Sequence, residues 1–452
     1  MYFLQIGKHM TAKLIPTHGL SADLAKRLEK TGRPIRVGLI GSGEMGTDIV
    51  TQCSQMTGIT VAAIAETRSA KAKGAYAIGG RDEADFYSSN KKSDFDAAIA
   101  AGKSVATEDA QLVCSSEHID VIVDATGRPA VGAEIGLAAM EHGKHLVMMN
   151  VEADVCIGAY LKREAKRLGV VYTLGAGDEP SSCMELVNFV QALGYPIVAA
   201  GKGKNNPLNI AATPDEYAEE AKRRNMNVRM LVEFVDGSKT MVEMAAISNA
   251  TGLVPDVPGM HGPAATLTEL EHVLCPKEDG GILSRKGVVD FSVGKGVAPG
   301  VFVIAEMAHP RVRERMNDLK LGAGPYYRFF RPYHLTSLEV PLSCARAVLY
   351  GTADMQPLDI PTSEVCAVAK KDLVVGERLD AIGEYTYRAW IMTVGDAVKA
   401  NAVPCGLIEN GKVTKAIKKG ELLIYANIVI DTSAKIVSLR KRQDDALKIS
   451  IV

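Results

Sequence analysis

Two stretches carry side chains whose types and spacing could bind an anion and move protons. The first, "GKGKNN", follows an apolar strand-like run and contains Lys202, Lys204, Asn205 and Asn206. Ammonium and amide groups on a glycine-rich backbone are suitable donors for a phosphate, a carboxylate or a developing oxyanion. A solvated turn is the competing interpretation, because lysine and asparagine are common in turns. The functional interpretation makes both lysines catalytic and both asparagines ligands of a small phosphorylated or acidic polyol.

The second stretch, "GAGDEPSS", places Asp178 and Glu179 after another strand-like run, with Glu185 about a turn into the following helix. Such carboxylates could act as general acid and base, or could hold Mg²⁺ or Mn²⁺. Capping of the helix by Asp178 explains the same pattern equally well. The sequence therefore indicates Asp178 and Glu179 as catalytic candidates and leaves metal dependence open.

Weaker candidates lie in the second half of the chain. Glu243, a further catalytic candidate, and Asn249, a substrate-binding one, are expected on either side of a strand-to-turn transition in "TMVEMAAISNATG". Three basic side chains could line the loops of a substrate pocket: His261, Arg331 and His334. A buried structural histidine, or an arginine of this segment pairing with Glu339, explains any single one of these positions at least as well.

A glycine-rich turn between a predicted strand and a predicted helix indicates a dinucleotide site. Its spacing, G-x-G-x-x-G, allows a tight turn, close approach of a pyrophosphate and close helix packing. Further contacts are expected at the carboxyl ends of the neighbouring strands, where ligands of such sheets bind. The residues expected to contact the cofactor are Gly41, Gly43, Glu44, Met45, Gly46, Glu66, Arg68, Asp124, Thr126, Gly127 and Asn150.

The choice between NAD and NADP depends on the end of the second strand. A carboxylate such as Glu66 pairs with a ribose 2′-hydroxyl and favours NAD, whereas an arginine such as Arg68 can hold a 2′-phosphate and favours NADP. Both residues are present. The sequence therefore allows either cofactor, with NADP placed first and NAD as the alternative.

The order of predicted elements indicates an α/β fold. Strands alternate with helices over the first half, which is typical of a doubly wound parallel sheet, although the stretch from Glu66 to about residue 116 reads as polar helices and an insertion. From about residue 178 the pattern changes to α+β. The predicted domains are an N-terminal arm with an amphipathic helix (1–33), a dinucleotide-binding Rossmann domain (34–165), a substrate and catalytic domain (166–355) and a small β-rich domain (356–452).

The β-rich domain contains an internal sequence repeat. Residues 369–380 and 414–425 both run from basic residues through an apolar strand to Gly-Glu and a second strand. A chance similarity of two hairpins is the alternative interpretation.

Composition excludes several classes of partner. The 452 residues carry a net charge of −1, which gives no long-range attraction to nucleic acid or to an anionic membrane. No apolar run approaches the roughly 20 residues needed to span a bilayer. Eight scattered cysteines without C-x-x-C spacing predict reduced, buried thiols. The weakly apolar N-terminus, starting at Met1 or Met10, favours a cytoplasmic protein, and the arm and the β-rich domain favour a homodimer.

Several segments together resemble a known family. They are "MNVEADV", "GAGDEPSS", "AAGKGKNNP", "EMAAISNATGL", "VPGMHGP" and "GPYYRFFRPYHLTSLEVPLS". With the C-terminal unit, which is similar to SAF-type β-clip modules, they resemble the reductoisomerase-like branch of the homoserine dehydrogenase superfamily over roughly residues 35–452. The resemblance implies NAD(P)H-dependent conversion of 1-deoxy-D-xylulose 5-phosphate to 2-C-methyl-D-erythritol 4-phosphate in isoprenoid precursor synthesis. Better-known reductoisomerases use a carboxylate-bound divalent metal.

One position departs from the homoserine type. Dehydrogenases of that type usually have asparagine followed by lysine at a strand end where this chain has Asn150 and then Val151. Lys202 or Lys204 is expected to replace the missing cation, and Glu152 adds a carboxylate. The alternative functions are a dehydrogenase of a sugar acid or branched polyol, and a dinucleotide-binding sensor without catalytic activity.

Overall fold

A seven-stranded sheet dominates the first part of the chain. The computed structural model describes residues 18–448, so most of the predicted arm, with both candidate start sites, lies outside the described residues. The strands are β1 Ile35–Ile40, β2 Ile59–Ala65, β3 Phe86–Ser88, β4 Ser104–Thr107, β5 Val121–Asp124, β6 His145–Met148 and β7 Tyr172–Leu174. Their order is β3-β4-β2-β1-β5-β6-β7 and every pairing is parallel. The predicted α/β fold is confirmed.

Helices cover both faces of this sheet. They are α1 Gly19–Thr31, α2 Glu44–Gln55, α3 Ser69–Ile78, α4 Lys92–Ala100, α5 Ala110–Ser115, α6 Pro129–Glu141 and α7 Val151–Leu168. The central strands β1 and β5 are buried almost throughout, as expected for a parallel sheet with covered faces. The strand order reverses between β1 and β5, and ligands of doubly wound sheets bind at that point.

Two details correct the predicted boundaries. The strands β3 and β4 lie in the stretch that the sequence assigns to helices and an insertion. They were not predicted, because both are short and contain polar residues. The first sheet also includes β7, which lies past the predicted boundary at residue 165. The helix predicted in the arm is confirmed as α1.

A mixed five-stranded sheet follows. Its strands are β8 Ile197–Gly203, β9 Val254–Pro255, β10 Val288–Ser292, β11 Val301–Glu306 and β12 Tyr326–Arg331, in the order β12-β11-β8-β10-β9. Central β8 is parallel to β10 and antiparallel to β11. The helices of this part are α8 Glu179–Ala192, α9 Pro214–Arg223, α10 Val228–Val235, α11 Ser238–Thr251, α12 Leu270–Val273, α13 Pro310–Asp318 and α14 Val340–Tyr350.

The last part of the chain is a small β-rich unit, called the C-terminal unit below (residues 363–447). Its elements are β13 Ser363–Ala369, β14 Tyr387–Thr393, β15 Lys412–Val413, β16 Ile428–Val429, α15 Val394–Ala400 and α16 Lys435–Leu447. The unit packs against the first sheet's helices: Arg440 of α16 is buried and donates to Cys156 O of α7 and to Glu364 of β13.

The two repeated segments of the C-terminal unit, residues 369–380 and 414–425, pair with each other. Leu373 and Ile417 exchange backbone hydrogen bonds of 2.8 and 3.0 Å. Flanking bonds repeat the same symmetry, each 2.8 Å long: Gly376 N to Val413 O and Gly420 N to Ala369 O. The sequence repeat therefore corresponds to a local two-fold arrangement. The assignment of the C-terminal unit to the SAF type stays a prediction.

The cysteines agree with the sequence interpretation, since all eight are free and buried. No helix within residues 18–448 is both long enough and apolar enough to cross a membrane.

Candidate active site

The glycine-rich turn after β1 has the geometry that its spacing predicts. Gly41 has a φ of 93°, and a Cβ there would lie 3.0 Å from Ala125 O. A Cβ on Gly46 would lie 2.3 Å from Gly41 O, so only glycine lets α2 begin this close to the turn. Nothing lies within 4 Å of a Cβ built on Gly43. The backbone at the N-terminus of α2 is therefore open to a pyrophosphate.

Glu66 faces this turn and Arg68 does not. Glu66 Oε2 accepts hydrogen bonds of 3.0 Å from both the backbone N and the Oγ of Ser42. Burial raises the pKa of Glu66, but the hydrogen bonds from Ser42 lower it more, so the carboxylate is ionised at neutral pH. Arg68 is exposed, and no ion pair joins it to Glu66 in the described chain. Glu44 and Met45 begin α2 beside them.

The carboxyl ends of β5 and β6 form a second polar group. Asn150 Nδ2 donates to Arg128 O at 2.7 Å and to Asp124 Oδ2 at 3.3 Å, and Thr126 N donates to Asp124 Oδ1 at 3.0 Å. Complete burial raises the pKa of Asp124 to about 6, against the hydrogen bonds from Thr126 and Asn150. Gly127 follows with a φ of 63°. The structure thus brings together the residues predicted near the nicotinamide ribose.

A buried cluster of carboxylates and lysines lies next to these strand ends. Lys202 Nζ donates to Glu179 Oε1 at 2.6 Å and to Glu243 Oε2. Lys202 is 6 % exposed and Glu243 is fully buried. Three elements supply these side chains: β8, the first turn of α8 and α11. We call Asp178, Glu179, Lys202, Lys239 and Glu243 the acid–lysine cluster.

Lys239 and Glu152 extend the cluster toward α7. Lys239 Nζ donates to Glu152 Oε1 at 2.8 Å, and its charge also acts on Asp178 and Glu243. Sequence reasoning missed Lys239, because it read residues 239–243 as strand. As α11 is a helix, Lys239 and Glu243 lie one turn apart on the same face, and that four-residue spacing is the signal that could have found the pair.

The carboxyl groups of the cluster differ in protonation. Burial and the neighbouring Glu179 raise the pKa of Asp178 well above its usual range, and they raise that of Glu243 to about 7. For Glu179, burial is outweighed by Lys202 and His334, which hold its pKa far below the usual range. The cluster therefore combines an ionised carboxylate with two that can carry a proton, which is what paired acid and base chemistry requires.

Asp178 does not cap α8 with its side chain. It occupies the N-cap position, yet its carboxyl group makes no capping hydrogen bond. The capping explanation of the sequence pattern is therefore wrong, and the carboxyl group is available to the cluster.

Three of these carboxylates have the spacing of a cation site. Oxygens of Asp178, Glu179 and Glu243 lie within 4.8 Å of one another, and Glu243 Oε1 is buried without a hydrogen-bond partner in the described chain. Lys202 Nζ, however, bonds Glu179 and Glu243 at once and so occupies the position between them. A divalent ion could enter only if Lys202 left. The donor set as arranged fits an ammonium group and not a divalent metal.

The "GKGKNN" stretch is not a flexible turn. Lys202 lies inside β8, and a Cβ on Gly201 would lie 1.6 Å from Asp290 O, so this glycine serves close strand packing. Lys204 is buried and donates to Asn206 O at 2.9 Å and Phe234 O at 2.5 Å. Burial lowers its pKa to about 8. Its ammonium group is thus bound to backbone carbonyls, while Asn205 is exposed and Asn206 half-buried.

Of the basic candidates, only His334 joins the cluster. His334 Nε2 lies 3.5 Å from Glu179 Oε1, and its Nδ1 lies 3.2 Å from Gly177 O. Arg331 donates to Glu185 at 2.9 Å and to Glu339 at 2.6 Å. The second contact is the pairing of an arginine with Glu339 that was the alternative interpretation of the sequence.

Two further candidates lie elsewhere. His261 pairs with Asp256 at 2.7 Å, on a loop against β10. Asn249 Oδ1 accepts from the backbone of Thr362 and Ser363, each at 2.9 Å, and so fastens the linker to the C-terminal end of α11. Asn249 and Glu243 occupy one helix, which corrects the predicted strand-to-turn transition.

Two family profiles match the chain. That of the homoserine dehydrogenase NAD-binding domain matches residues 41–172, and that of "Oxidoreductase DRL, catalytic domain" matches residues 177–340. The first contains the glycine-rich turn, and the second contains the acid–lysine cluster. The chain is thus an NAD(P)-dependent oxidoreductase related to the homoserine dehydrogenase superfamily. No curated protein sequence matches it significantly.

Solved structures resemble the chain only distantly. A probable dehydrogenase from Thermotoga maritima is 14 % identical over 70 % of this chain and 90 % of its own, with a TM-score of 0.42. Apo scyllo-inositol dehydrogenase from Lactobacillus casei is 13 % identical over 71 % and 90 %, also with a TM-score of 0.42. A DOX-P reductoisomerase in complex with magnesium is 15 % identical over 46 % and 56 %, with a TM-score of 0.33. These likenesses are too weak to assign a substrate.

Proposed function

We propose that this oxidoreductase is a reductoisomerase, which shifts the carbon skeleton of a small hydroxyketone and then reduces the resulting carbonyl group. Conversion of 1-deoxy-D-xylulose 5-phosphate to 2-C-methyl-D-erythritol 4-phosphate is the first reaction to test. The observation that supports the proposal is the acid–lysine cluster, which is buried and contacts Glu152 just past the carboxyl end of β6, in the sheet that carries the glycine-rich turn.

The cluster supplies the groups that both steps need. In the skeletal shift, ionised Glu179 takes a proton from a substrate hydroxyl while a protonated carboxyl group, Glu243, donates one to the neighbouring carbonyl oxygen. In the second step a bound dihydronicotinamide would supply the hydride, and Asp178 gives its proton to the oxygen of the new carbonyl group. Lys202 and Lys239 stabilise the negative charge that develops on these oxygens.

A simple dehydrogenase is the second candidate function. It is favoured by the position of Lys202, whose ammonium group lies between carboxylates that otherwise have the spacing of a cation site. It is also favoured by Lys204, which is bound to backbone carbonyls instead of facing an anionic group. A dehydrogenase would use the same cluster for one proton and one hydride without a change of skeleton.

Product analysis separates the two functions. Purified protein is incubated with NADH or NADPH and 1-deoxy-D-xylulose 5-phosphate, cofactor oxidation is followed by absorbance, and the product is identified by NMR. A branched product supports the reductoisomerase, whereas reduction without a skeletal change supports the dehydrogenase. If no polyol or sugar acid is turned over while the dinucleotide still binds, both enzyme proposals fail in favour of a sensor.

We further propose that the cofactor is NAD(H). Ionised Glu66 lies where a ribose 2′-hydroxyl binds in this fold and would repel a 2′-phosphate. This reverses the order of preference that the sequence supports.

A further inference from the structure

The strand β12 is a long sheet edge that nothing covers. It has six residues, Tyr326–Arg331, and no strand of the described chain pairs with its outer side. The other ends of the two large sheets differ. The strand β9 has two residues and contains a proline, β3 has three residues, and β7 has three residues and is bonded by Met355 O. Short edges, prolines and covering segments prevent pairing between sheets of different molecules, and β12 has none of them.

Half of the residues of β12 direct their backbone polar groups outward. Met307 N donates to Pro325 O at 2.8 Å, so these two residues form a hydrogen-bonded pair of the ladder between β11 and β12. In an antiparallel ladder such pairs alternate with pairs that exchange no hydrogen bonds. The residues that bond β11 are therefore Tyr327, Phe329 and Arg331, and those that point away from it, called the outward residues below, are Tyr326, Arg328 and Phe330. No described residue bonds the N–H or C=O groups of the outward residues.

Apolar side chains lie exposed beside this edge. Phe189 of α8 is 53 % exposed, and Leu193, one turn further along the same helix, is 52 % exposed. The ring of Phe189 meets that of Phe329 edge-on, with centroids 5.8 Å apart, so Phe189 lies over the edge strand itself. A second sheet joined to β12 in the same way would bring its own copies of these side chains to the joint, where the two sets would cover each other.

The charges of the edge strand favour a second copy as the partner. Arg328 is bonded to Glu271 of α12, and Arg331 is bonded to Glu185 and Glu339. Each arginine is thus already neutralised within its own chain, so two copies do not repel each other along the strand. An acidic partner would find no free positive charge there, whereas a second copy presents the same neutral pairs.

We propose that β12 pairs with β12 of a second copy, antiparallel and about a two-fold axis, so that the two five-stranded sheets form one continuous sheet across a homodimer. In a two-fold interface both copies use the same surface, as an antiparallel pair of identical strands does. The outward residues define the register. All of them are hydrogen-bonded when Arg328 faces its counterpart and Tyr326 faces Phe330 of the other copy, whereas a shifted register leaves one outward residue of each copy without a partner in the other strand.

This interface does not depend on which reaction the acid–lysine cluster catalyses. It lies on the substrate and catalytic domain, whereas the sequence-based expectation of a homodimer rests on the arm and the β-rich domain. The strand also leads into the active site, because His334 lies just past its end and its Nε2 is 3.5 Å from Glu179 Oε1. Pairing of β12 thus fixes the strand from which His334 reaches the cluster.

Size-exclusion chromatography with light scattering and a matched pair of charge substitutions test the interface. Wild type should have twice the 48.2 kDa mass of one chain. Phe189→Glu places an unpaired carboxylate at the joint and should weaken the dimer by about 100-fold or more. Ile78→Glu, on α3 of the first sheet, changes an apolar side chain that is 68 % exposed and should leave the dimer intact. Circular dichroism checks that both variants fold.

A cysteine on the edge strand tests the register. All eight native cysteines are buried, so a short thiol-specific cross-linker should react first with an added cysteine. Arg328→Cys places two thiols on residues that face each other across the axis, with Cα atoms about 5.5 Å apart, and should give cross-linked dimers. Lys71→Cys, which is exposed on α3, should give none.

A monomeric wild type would overturn the proposal. So would a dimer that persists unchanged in Phe189→Glu, or an equal loss of the dimer in Ile78→Glu. Cross-linking of Lys71→Cys but not of Arg328→Cys would place the interface elsewhere, and a dimer in which Arg328→Cys gives no cross-link would reject the pairing of β12. If Phe189→Glu does not fold, the cross-linking result decides alone, because the chain used there keeps Phe189.

Discussion

Lys239 Nζ lies 2.8 Å from Glu152 Oε1 and so joins α11 to the first turn of α7. Glu152 directly follows Val151, the position where dehydrogenases of the homoserine type usually have their lysine. Lys239 thus brings an ammonium group next to the residue that follows position 151, from a helix 87 residues further along the chain. Lys202, predicted to replace it, contributes a second ammonium group on the other side of the cluster.

We expect Lys239→Met to lower kcat by about 100- to 1000-fold, because it removes a buried positive charge beside the reacting oxygens. NADH affinity should be unchanged, as Lys239 is not part of the dinucleotide turn. Lys204→Met is the matched control: it removes a lysine bound to backbone carbonyls, and should lower thermal stability more than kcat. A larger loss of kcat in Lys204→Met would contradict the assignment. Steady-state kinetics and thermal unfolding of both variants decide the matter.

Much of the first sheet was predictable because its longer strands are largely apolar, and β1, β2 and β5 stop at a glycine or an acid. β5, for example, reads "VIVD" and is buried throughout. The glycine turn and its acid Glu66 were predictable for the same reason, since a local spacing carries the geometry. Glu66 and Ser42 lie within 24 residues of each other.

The acid–lysine cluster was only half predictable, because its contacts are long-range. Gly201 looks like a turn residue until Asp290 O approaches it from a strand about 90 residues later. Helix α11 contains valine, isoleucine and threonine, which favour strands, yet nearly all of its residues are buried against their neighbours as a helix. When this segment is predicted as strand, nothing places Lys239 on the same face as Glu243, and Lys239 is not identified.

Removing the ammonium group at the centre of the cluster should create a cation site. Lys202→Ala leaves Asp178, Glu179 and Glu243 with oxygens within 4.8 Å and no counter-charge between them. We expect this variant to bind Mn²⁺, detected by electron paramagnetic resonance, and to lose activity by at least about 1000-fold. Wild type should bind no Mn²⁺ at the cluster and keep its rate after treatment with EDTA. Loss of wild-type activity on chelation would contradict the conclusion that the cluster holds the Lys202 ammonium group and not a divalent metal.

Cofactor preference should follow Glu66. We expect NADH to bind wild type about tenfold or more tightly than NADPH, because the ionised carboxylate repels a 2′-phosphate. Glu66→Ser should remove most of this preference, since it removes the carboxylate that repels the 2′-phosphate. Glu44→Gln removes another acid near the turn and should leave the ratio as in wild type. Fluorescence titration of the three proteins measures it, and an unchanged ratio in Glu66→Ser would show that Glu66 does not contact the ribose.

Gly43→Ala should separate folding from cofactor binding. A Cβ at Gly43 meets nothing within 4 Å, so the variant should unfold at the wild-type temperature. The added methyl group stands where the pyrophosphate must approach the backbone, and we expect at least about tenfold weaker NADH binding. Gly74→Ala, also in open space but on α3, should change neither quantity by much. Equal NADH affinity in Gly43→Ala and Gly74→Ala would place the phosphates elsewhere.

The buried Asp154 should make the protein less stable as pH rises. Burial raises its pKa to about 6, although a 2.5 Å hydrogen bond from Tyr172 Oη opposes the shift, and in the unfolded chain the pKa is about 3.9. Between these two values the native state holds a proton that the unfolded state has released. Asp154 therefore makes its full contribution to the free energy of unfolding below about pH 4. This contribution, about 3 kcal/mol, is lost as pH rises through 6.

Asp154→Asn cannot ionise, so its free energy of unfolding relative to wild type should increase by about 2–3 kcal/mol between pH 4 and pH 7. The introduced amide keeps an oxygen that can accept from Tyr172, and folding should persist. Asp372 serves as the control with the opposite sign: it is exposed, and hydrogen bonds from Lys419 N and the Lys418 ammonium group hold its pKa low. Asp372→Asn should thus lose a little stability relative to wild type over the same range. Urea unfolding at each pH measures both, and parallel profiles for Asp154→Asn and wild type would show that the carboxyl group ionises normally.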